Sequence, residues 1–128
     1  MNRKPSSVII PSEDQEQEML FTWAGMNLGR YPELKLMFAV PNGAYRHIQT
    51  AVKLKSTGVK AGVPDIFIPV ARKGCNGMFI EMKRQKNGKV SAYQKIWIDE
   101  LMHQGYYVVI AHGFEQAKQY IEKYLQEK

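Results

Sequence analysis

Two short apolar segments that carry charge constrain the fold of this chain most strongly. The first runs from Gly62 to Ile68 and contains Asp65, and the second runs from Met78 to Lys83 and contains Glu81. Strands rich in Ile, Phe, Val and Met are usually buried, and a buried carboxylate costs several kcal/mol unless something compensates for it. The sequence therefore predicts two paired strands that hold two carboxylates and one ammonium close together, in an arrangement that needs a compensating partner.

The length and composition predict one soluble domain with a single core. The chain has 128 residues, of which 45% are hydrophobic and 23% are charged, as in ordinary globular proteins. No apolar run approaches the ~20 residues that a membrane-spanning helix needs, and no targeting segment is visible. Cys75 is the single cysteine, which excludes an intramolecular disulfide and fits a reducing compartment. We therefore expect a cytoplasmic protein without a membrane partner.

The charge of the chain favours a polyanionic partner. The formal net charge is +6, and such an excess of basic residues is common among proteins that bind nucleic acid. The candidates for contact with DNA are Arg46, Lys53, Lys60, Lys86 and Lys89. The alternative is that these side chains simply form a solvated surface. Residues 1–11, interrupted by Pro5 and Pro11, predict a flexible basic arm, and residues 12–128 predict a single domain.

The predicted elements follow the order α, β, α, β, β, α, β, α. Helices are predicted to begin after Ser12, Ser91 and Gly113, the two serines each having a glutamine three residues later in a capping-box pattern. A basic helix is predicted from about residue 44 to residue 56, with Val52 on its inner or boundary stripe. The predicted strands span residues 34–40, 65–71, 78–83 and 106–111. This order predicts an α/β fold with a mixed central sheet of about four strands and helices on both faces.

The central hairpin brings candidate metal ligands together. Asp65 follows Pro64, which marks a strand end because proline cannot pair within a central ladder. Glu81 and Lys83 leave the same face of their strand, and a hairpin of this length places Asp65 opposite them. The two carboxylates, with the Met82 carbonyl as a further oxygen, suit Mg²⁺ or Mn²⁺. The alternative is a cross-strand Glu–Lys ion pair at a sheet edge.

Acidic residues near the start of the first helix supply another candidate ligand. At about 100° per residue, Glu13 and Glu16 lie within roughly 40° of Leu20, so they are predicted to share its inward face. The helix dipole favours acids in a first turn. It does not explain an acid on the apolar side, so one of these two glutamates is expected to serve the site.

These residues resemble a known group of nucleases. Pro64-Asp65 followed by Glu81-Met82-Lys83 resembles the pattern of the PD-(D/E)XK nuclease superfamily. More narrowly, the chain from Ser12 onward resembles the VRR-NUC (virus-type replication-repair nuclease) family. The residues that carry this likeness are Ser12-Glu13 leading to Trp23, Pro41-Asn42-Gly43, Gly58 through Ile66, Phe79 through Lys83, and Ser91 with Gln94.

The resemblance implies a restriction-endonuclease-like core and metal-dependent hydrolysis of a DNA phosphodiester. It implies that Asp65 and Glu81 are metal ligands and that Lys83 positions the nucleophile. It also implies that a first-helix glutamate contacts the metal or a water. Alignment to the Ser-Glu start of the family pattern selects Glu13, with Glu16 in reserve.

Gln94 matches a glutamine that reaches toward the same site in the family. Its position also fits a capping box with Ser91. Both roles are compatible, because Gln94 lies on the apolar stripe of its helix and its amide is predicted to point inward.

The resemblance also implies a class of substrate. Stand-alone members of the family look like Holliday-junction resolvases, which are homodimers that cut two strands symmetrically. We therefore expect a homodimeric, structure-selective endonuclease of phage or bacterial origin, acting on branched or duplex DNA in recombination or repair and using no small-molecule substrate. The alternatives are a nuclease that acts on flaps or linear DNA, and a non-catalytic DNA-binding accessory that keeps the fold.

Overall fold

The computed structural model of the protein describes residues 9–41, 52–53 and 55–127. Its elements are α1 (Glu13–Met26), a 3₁₀ helix (Pro32–Leu36), β1 (Phe38–Ala39), β2 (Ile66–Ile68), β3 (Met78–Lys83), α2 (Ala92–His103), β4 (Tyr107–His112) and α3 (Phe114–Gln126). Residues 52–53 and 55–56 are also helical. None of the helices within these ranges has the length and apolar character needed to cross a membrane.

The four strands form one mixed sheet in the order β1-β2-β3-β4. The first two pairings are antiparallel and the pairing of β3 with β4 is parallel. β3 lies in the interior of the sheet, and all of its residues are buried. The predicted α/β fold with a mixed four-stranded sheet is confirmed.

The main hydrophobic core lies on one face of the sheet. Alternate residues of β3, namely Met78, Ile80 and Met82, point into this core together with Ile66 and Ile68 of β2. The core is closed by α1 and α3 through Leu20, Ala24, Ala117, Ile121 and Leu125. The other face carries Phe67 stacked on Phe79, with ring centroids 4.3 Å apart, and it is on this side that Glu81 meets α2.

The predicted strand at residues 34–40 is wrong over most of its length. Residues Pro32–Leu36 form a 3₁₀ helix, and only Phe38–Ala39 pair as a strand. The buried residues here are Leu34 and Met37, which are three apart, whereas Phe38 is exposed. A spacing of three matches the period of a 3₁₀ helix, so packing against the core selects the helical turn over the alternating pattern.

The remaining elements differ from the prediction mainly in their bounds. The predicted strands at residues 65–71 and 106–111 correspond to Ile66–Ile68 and Tyr107–His112. Most of the predicted basic helix at residues 44–56 lies outside the described residues, as does Arg46. Within the described part, Val52, which the sequence places on the inner or boundary stripe, is exposed.

Both predicted capping boxes are present. The Gln15 N–H donates to Ser12 Oγ at 3.1 Å and the Ser12 N–H donates to Gln15 Oε1 at 2.9 Å. Ser91 and Gln94 repeat the arrangement at the start of α2 with the same distances, 3.1 and 2.9 Å. Each box satisfies two backbone groups that a helix start would otherwise leave unpaired. The box at Ser91 fixes where α2 begins, and so fixes the position of Gln94.

Candidate active site

Asp65 is held beside the middle of the central strand. It directly precedes β2, and the pairing of Ile66 with Ile80 places it next to Glu81 on the neighbouring strand. The Met82 N–H donates to Asp65 Oδ2 at 2.7 Å. Pro64, buried just before it, has no N–H with which to extend the strand pairing.

Glu81 is buried at the centre of the same cluster, with 1% of its surface exposed. Its Oε2 accepts a hydrogen bond from Gln94 Nε2 at 3.0 Å and lies 3.5 Å from Lys83 Nζ. Its Oε1 is also buried, and it has no hydrogen-bond partner among the described residues. A buried carboxylate oxygen without a donor is costly, so this atom needs an explanation.

The charges around Glu81 do not balance. Burial raises the pKa of the Glu81 carboxyl to about 8, and the neighbouring Asp65 carboxylate raises it as well. The Lys83 ammonium acts in the opposite direction, but its effect is smaller. Two carboxylates thus share one buried ammonium, and without a further cation the Glu81 carboxyl is mostly protonated at neutral pH.

The ion-pair alternative does not match this geometry. Glu81 and Lys83 lie on one strand rather than across two, and β3 is interior rather than at a sheet edge. Both side chains are buried. A buried ion pair that lies beside a second carboxylate, that of Asp65, is not a self-sufficient stabilising contact.

Gln94 takes part both in the capping box of α2 and in the carboxylate cluster. Its Oε1 accepts from the Ser91 N–H at 2.9 Å, and its Nε2 donates to Glu81 Oε2 at 3.0 Å. The backbone donor at Ser91 fixes the orientation of the amide, because only a carbonyl oxygen can accept there. The NH₂ group therefore faces Glu81, and one side chain links the start of α2 to the carboxylate.

The cluster fits a divalent cation. Within the described ranges, no group of three or more His, Cys, Asp or Glu side chains is placed to hold a metal. The carboxylates of Asp65 and Glu81 would therefore be the two side-chain ligands. The Met82 carbonyl can add a third oxygen, because the N–H and C=O of one residue leave an extended strand on the same side and its N–H points to Asp65. Mg²⁺ is commonly bound by one or two carboxylates with water and substrate phosphates. The unpaired Glu81 Oε1 is consistent with that donor set.

Comparison with known proteins identifies the family of the chain. Residues 3–115 match the VRR-NUC domain model. The chain belongs to the VRR-NUC family. A solved structure described as a VRR_NUC domain protein is 28% identical in sequence, with a TM-score of 0.76 over 91% of this chain and 90% of the other. No curated protein matches the chain. The resemblance seen in the sequence is confirmed, and the family is of the nuclease type, which implies DNA as a partner.

The glutamates of α1 occupy different environments in this VRR-NUC domain. Glu16 is 2% exposed, and its carboxylate accepts from Gln85 Nε2 at 3.1 and 3.2 Å and from the Phe114 N–H at 3.3 Å. It thus caps the start of α3, where Gly113 provides no side-chain cap. No sequence pattern predicts the contact between Gln85 and Glu16, because the two residues lie 69 positions apart along the chain.

Glu13 is exposed. The prediction that both glutamates share the inward face of α1 holds for Glu16 and is wrong for Glu13. Residues 12–15 are all exposed, so the first turn of α1 extends beyond the packed layer and the helical angle alone does not bury a side chain there. A metal or water contact by Glu13, or by Glu16 in reserve, stays a prediction.

The basic residues expected to contact DNA are at the surface where they are described. Lys53, Lys60, Lys86 and Lys89 are exposed, and Arg46 lies outside the described residues. Lys86 and Lys89 belong to the loop that directly follows β3, the strand that ends at Lys83. Lys86 and Lys89 thus lie three and six residues after Lys83 along the chain.

Proposed function

We propose that this VRR-NUC protein is a metal-dependent endodeoxyribonuclease that hydrolyses DNA phosphodiester bonds. One observation carries the proposal: Glu81 Oε1 is buried without a hydrogen-bond partner among the described residues, in a carboxyl group that lies beside Asp65. A divalent cation would compensate both carboxylates at once. The membership of a nuclease-type family supports the same reaction.

The roles of the side chains follow from their contacts. Asp65, Glu81 and the Met82 carbonyl would hold Mg²⁺ or Mn²⁺, and the cation would supply a water of lowered pKa and neutralise charge on the phosphate. The Lys83 ammonium, 3.5 Å from Glu81, would hold the attacking water by hydrogen bonding and stabilise negative charge that develops on the phosphate oxygens. Gln94 keeps the Glu81 carboxylate in a fixed orientation.

The catalytic assignment can be tested by charge-neutral substitutions. Asp65→Asn and Glu81→Gln should each reduce cleavage of DNA in Mg²⁺ or Mn²⁺ by about 100-fold or more, as loss of an electrostatic catalytic contact does. Glu18→Gln, which removes an exposed carboxylate of α1, is the matched control and should cleave normally. Removal of the metal with EDTA should abolish cleavage by the unmodified protein. Normal cleavage by both site variants would contradict the assignment.

The exposed lysines provide the DNA-binding surface in this proposal. Lys53, Lys60, Lys86 and Lys89, with Arg46, would contact phosphates, so affinity for duplex DNA should fall steeply as salt is raised. Charge-removing substitutions at Lys86 and Lys89 should reduce the slope of the logarithm of affinity against the logarithm of salt by about one each. An unchanged slope would exclude these two residues from the contact surface.

For the substrate, we propose branched DNA cut by a homodimer, as in Holliday-junction resolution during recombination or repair. A dimer holds two identical sites at a fixed separation, which suits symmetric cutting of two strands. The mass of the protein in solution tests the dimer, and comparison of four-way junctions, flaps and linear duplex tests the preference. Equal cleavage of linear duplex and junctions would remove the resolvase proposal. If the protein binds DNA but cuts none of these substrates with either metal, the accessory function replaces the nuclease.

A further inference from the structure

A cleft against α2 has a lining of which only Lys60 takes part in the proposed function. It has a volume of about 620 Å³ and lies between the segment at residues 52–61 and the first turns of α2. Its lining combines two lysines with two aromatic rings and short apolar side chains: Lys55, Lys60, Tyr93, Trp97, Val52 and Val59. No acidic residue is among the described residues that line it. The volume is in the range of a site for a small organic ligand.

The cleft and the carboxylate cluster share their supporting elements. Gly62 has a φ of +95°, and a Cβ there would lie 2.8 Å from Trp97 Cδ1 and 3.1 Å from the Tyr93 carbonyl oxygen. The loop that leads to Asp65 therefore packs directly on α2. Tyr93 is also adjacent in sequence to Gln94, which donates to Glu81. A ligand in the cleft would consequently contact the helix that positions Gln94.

Tyr93 has the exposure of a binding residue rather than of a core residue. Its side chain is 69% exposed, although aromatic side chains usually bury most of their surface. An exposed ring with two ammonium groups nearby matches how proteins hold single-stranded nucleic acid, in which bases stack on aromatic rings and phosphates contact basic side chains. A base within a duplex is already stacked and paired, so it cannot offer its face to a ring in a cleft.

We propose that this cleft binds an unpaired nucleotide of the DNA substrate, with its base stacked on Tyr93 and its flanking phosphates held by Lys55 and Lys60. This inference rests on the proposed nuclease function and adds that the branched substrate presents an unpaired nucleotide at its branch point. Trp97, whose ring lies against Gly62, lines the same cleft as Tyr93.

The test measures binding without cleavage. Fluorescence anisotropy in EDTA would compare three ligands of equal length: a single strand, a duplex, and a single strand made only of abasic residues, which keeps the phosphates and lacks the bases. Tyr93→Ser should weaken binding of the ordinary single strand by roughly 5- to 100-fold, the range found for loss of one base–aromatic stack. It should leave the duplex and the abasic strand nearly unchanged.

Two further variants make the result specific. Ile96→Ser alters a 59% exposed residue of α2 that is not part of the cleft lining, and it should bind all three ligands normally. Tyr93→Trp keeps an aromatic surface and should bind the single strand at least as tightly as the unmodified protein. Lys60→Gln should weaken the ordinary and the abasic single strands equally, because both carry the phosphates.

Several results would overturn the proposal. Equal losses on all three ligands for Tyr93→Ser, no loss on any, or the same loss for Ile96→Ser would each show that no base stacks on Tyr93. The outcome is separate from that of the nuclease assignment, because binding in EDTA is measured without the metal that cleavage requires. If the protein binds the single strand through Tyr93 but shows no metal-dependent cleavage, the proposed catalysis is rejected and the proposed binding site is kept.

Discussion

Replacing Glu81 with glutamine should stabilise the metal-free protein while it reduces cleavage by about 100-fold or more. The substitution keeps the size of the side chain and an oxygen that can accept from Gln94 Nε2, but it removes the charge that burial penalises. Glu81→Gln therefore mimics the protonated carboxyl that the site favours without a cation. Such opposite effects on stability and activity are expected where a charge is kept for function rather than for folding.

The size of the effect follows from the pKa of Glu81. The carboxyl titrates at 4.5 in its ordinary environment and at about 8 in the folded protein. Because the folded state holds this proton more tightly than the unfolded state, its contribution to stability is fully present below pH 4.5 and is lost as the pH rises toward 8. At about 1.4 kcal/mol per pH unit, the loss reaches about 5 kcal/mol. Glu81→Gln escapes this loss.

Urea unfolding in EDTA from pH 4.5 to pH 8.5 measures the difference directly. The gain from Glu81→Gln should be small at the acidic end and increase with pH, whereas Glu18→Gln reports the general effect of removing a negative charge from this basic protein. Saturating Mn²⁺ should then stabilise the unmodified protein at pH 8 much more than Glu81→Gln, because only a ligand that binds the folded state shifts unfolding. A gain that does not vary with pH, or no gain at pH 8, would refute the buried-charge reasoning.

Two other predictions concern the contact between α1 and α3. Glu16→Ala should lower the free energy of unfolding by about 1–3 kcal/mol, because it leaves the Phe114 N–H without its acceptor. Glu16→Gln should lower it less, because the amide oxygen can still accept. Urea denaturation measures both effects. Gly113→Ala should cost about 1–3 kcal/mol, because Gly113 has a φ of +96° and a Cβ there would lie 2.6 Å from Glu16 Oε2. In the same assay Gly25→Ala, in α1 with nothing within 4 Å of its Cβ, should instead stabilise the protein by up to about 1 kcal/mol; equal losses at the two glycines would contradict the steric argument.

The features that could be predicted from the sequence depend on contacts that are short in sequence. The capping boxes at Ser12 and Ser91 are determined by residues three positions apart. The position of Asp65 beside Glu81 follows from counting along one hairpin and from the proline that ends its first strand. In each case the local pattern is compatible with one arrangement, so that arrangement could be predicted without the tertiary structure.

The features that could not be predicted depend on packing between distant elements. Residues 34–40 alternate as a strand would, but burial of Leu34 and Met37 in the core favours a 3₁₀ turn. The capping of α3 by Glu16 joins residues 98 positions apart. The exposed cleft at Tyr93 likewise arises from the approach of α2 to the loop around Gly62. No periodicity within a single segment contains this information.

The contacts of the α1 glutamates also bear on which of them would serve a bound metal. Glu16 already uses its carboxylate to hold Gln85 and to cap α3, so turning it toward a cation would sacrifice contacts of about 1–3 kcal/mol and loosen the start of a helix. Glu13 is exposed, and ordering its side chain costs at most about 2 kcal/mol of conformational entropy. The energetic comparison therefore favours Glu13 as the glutamate that would contact a metal. Glu16 is favoured as the residue that holds α1 in place.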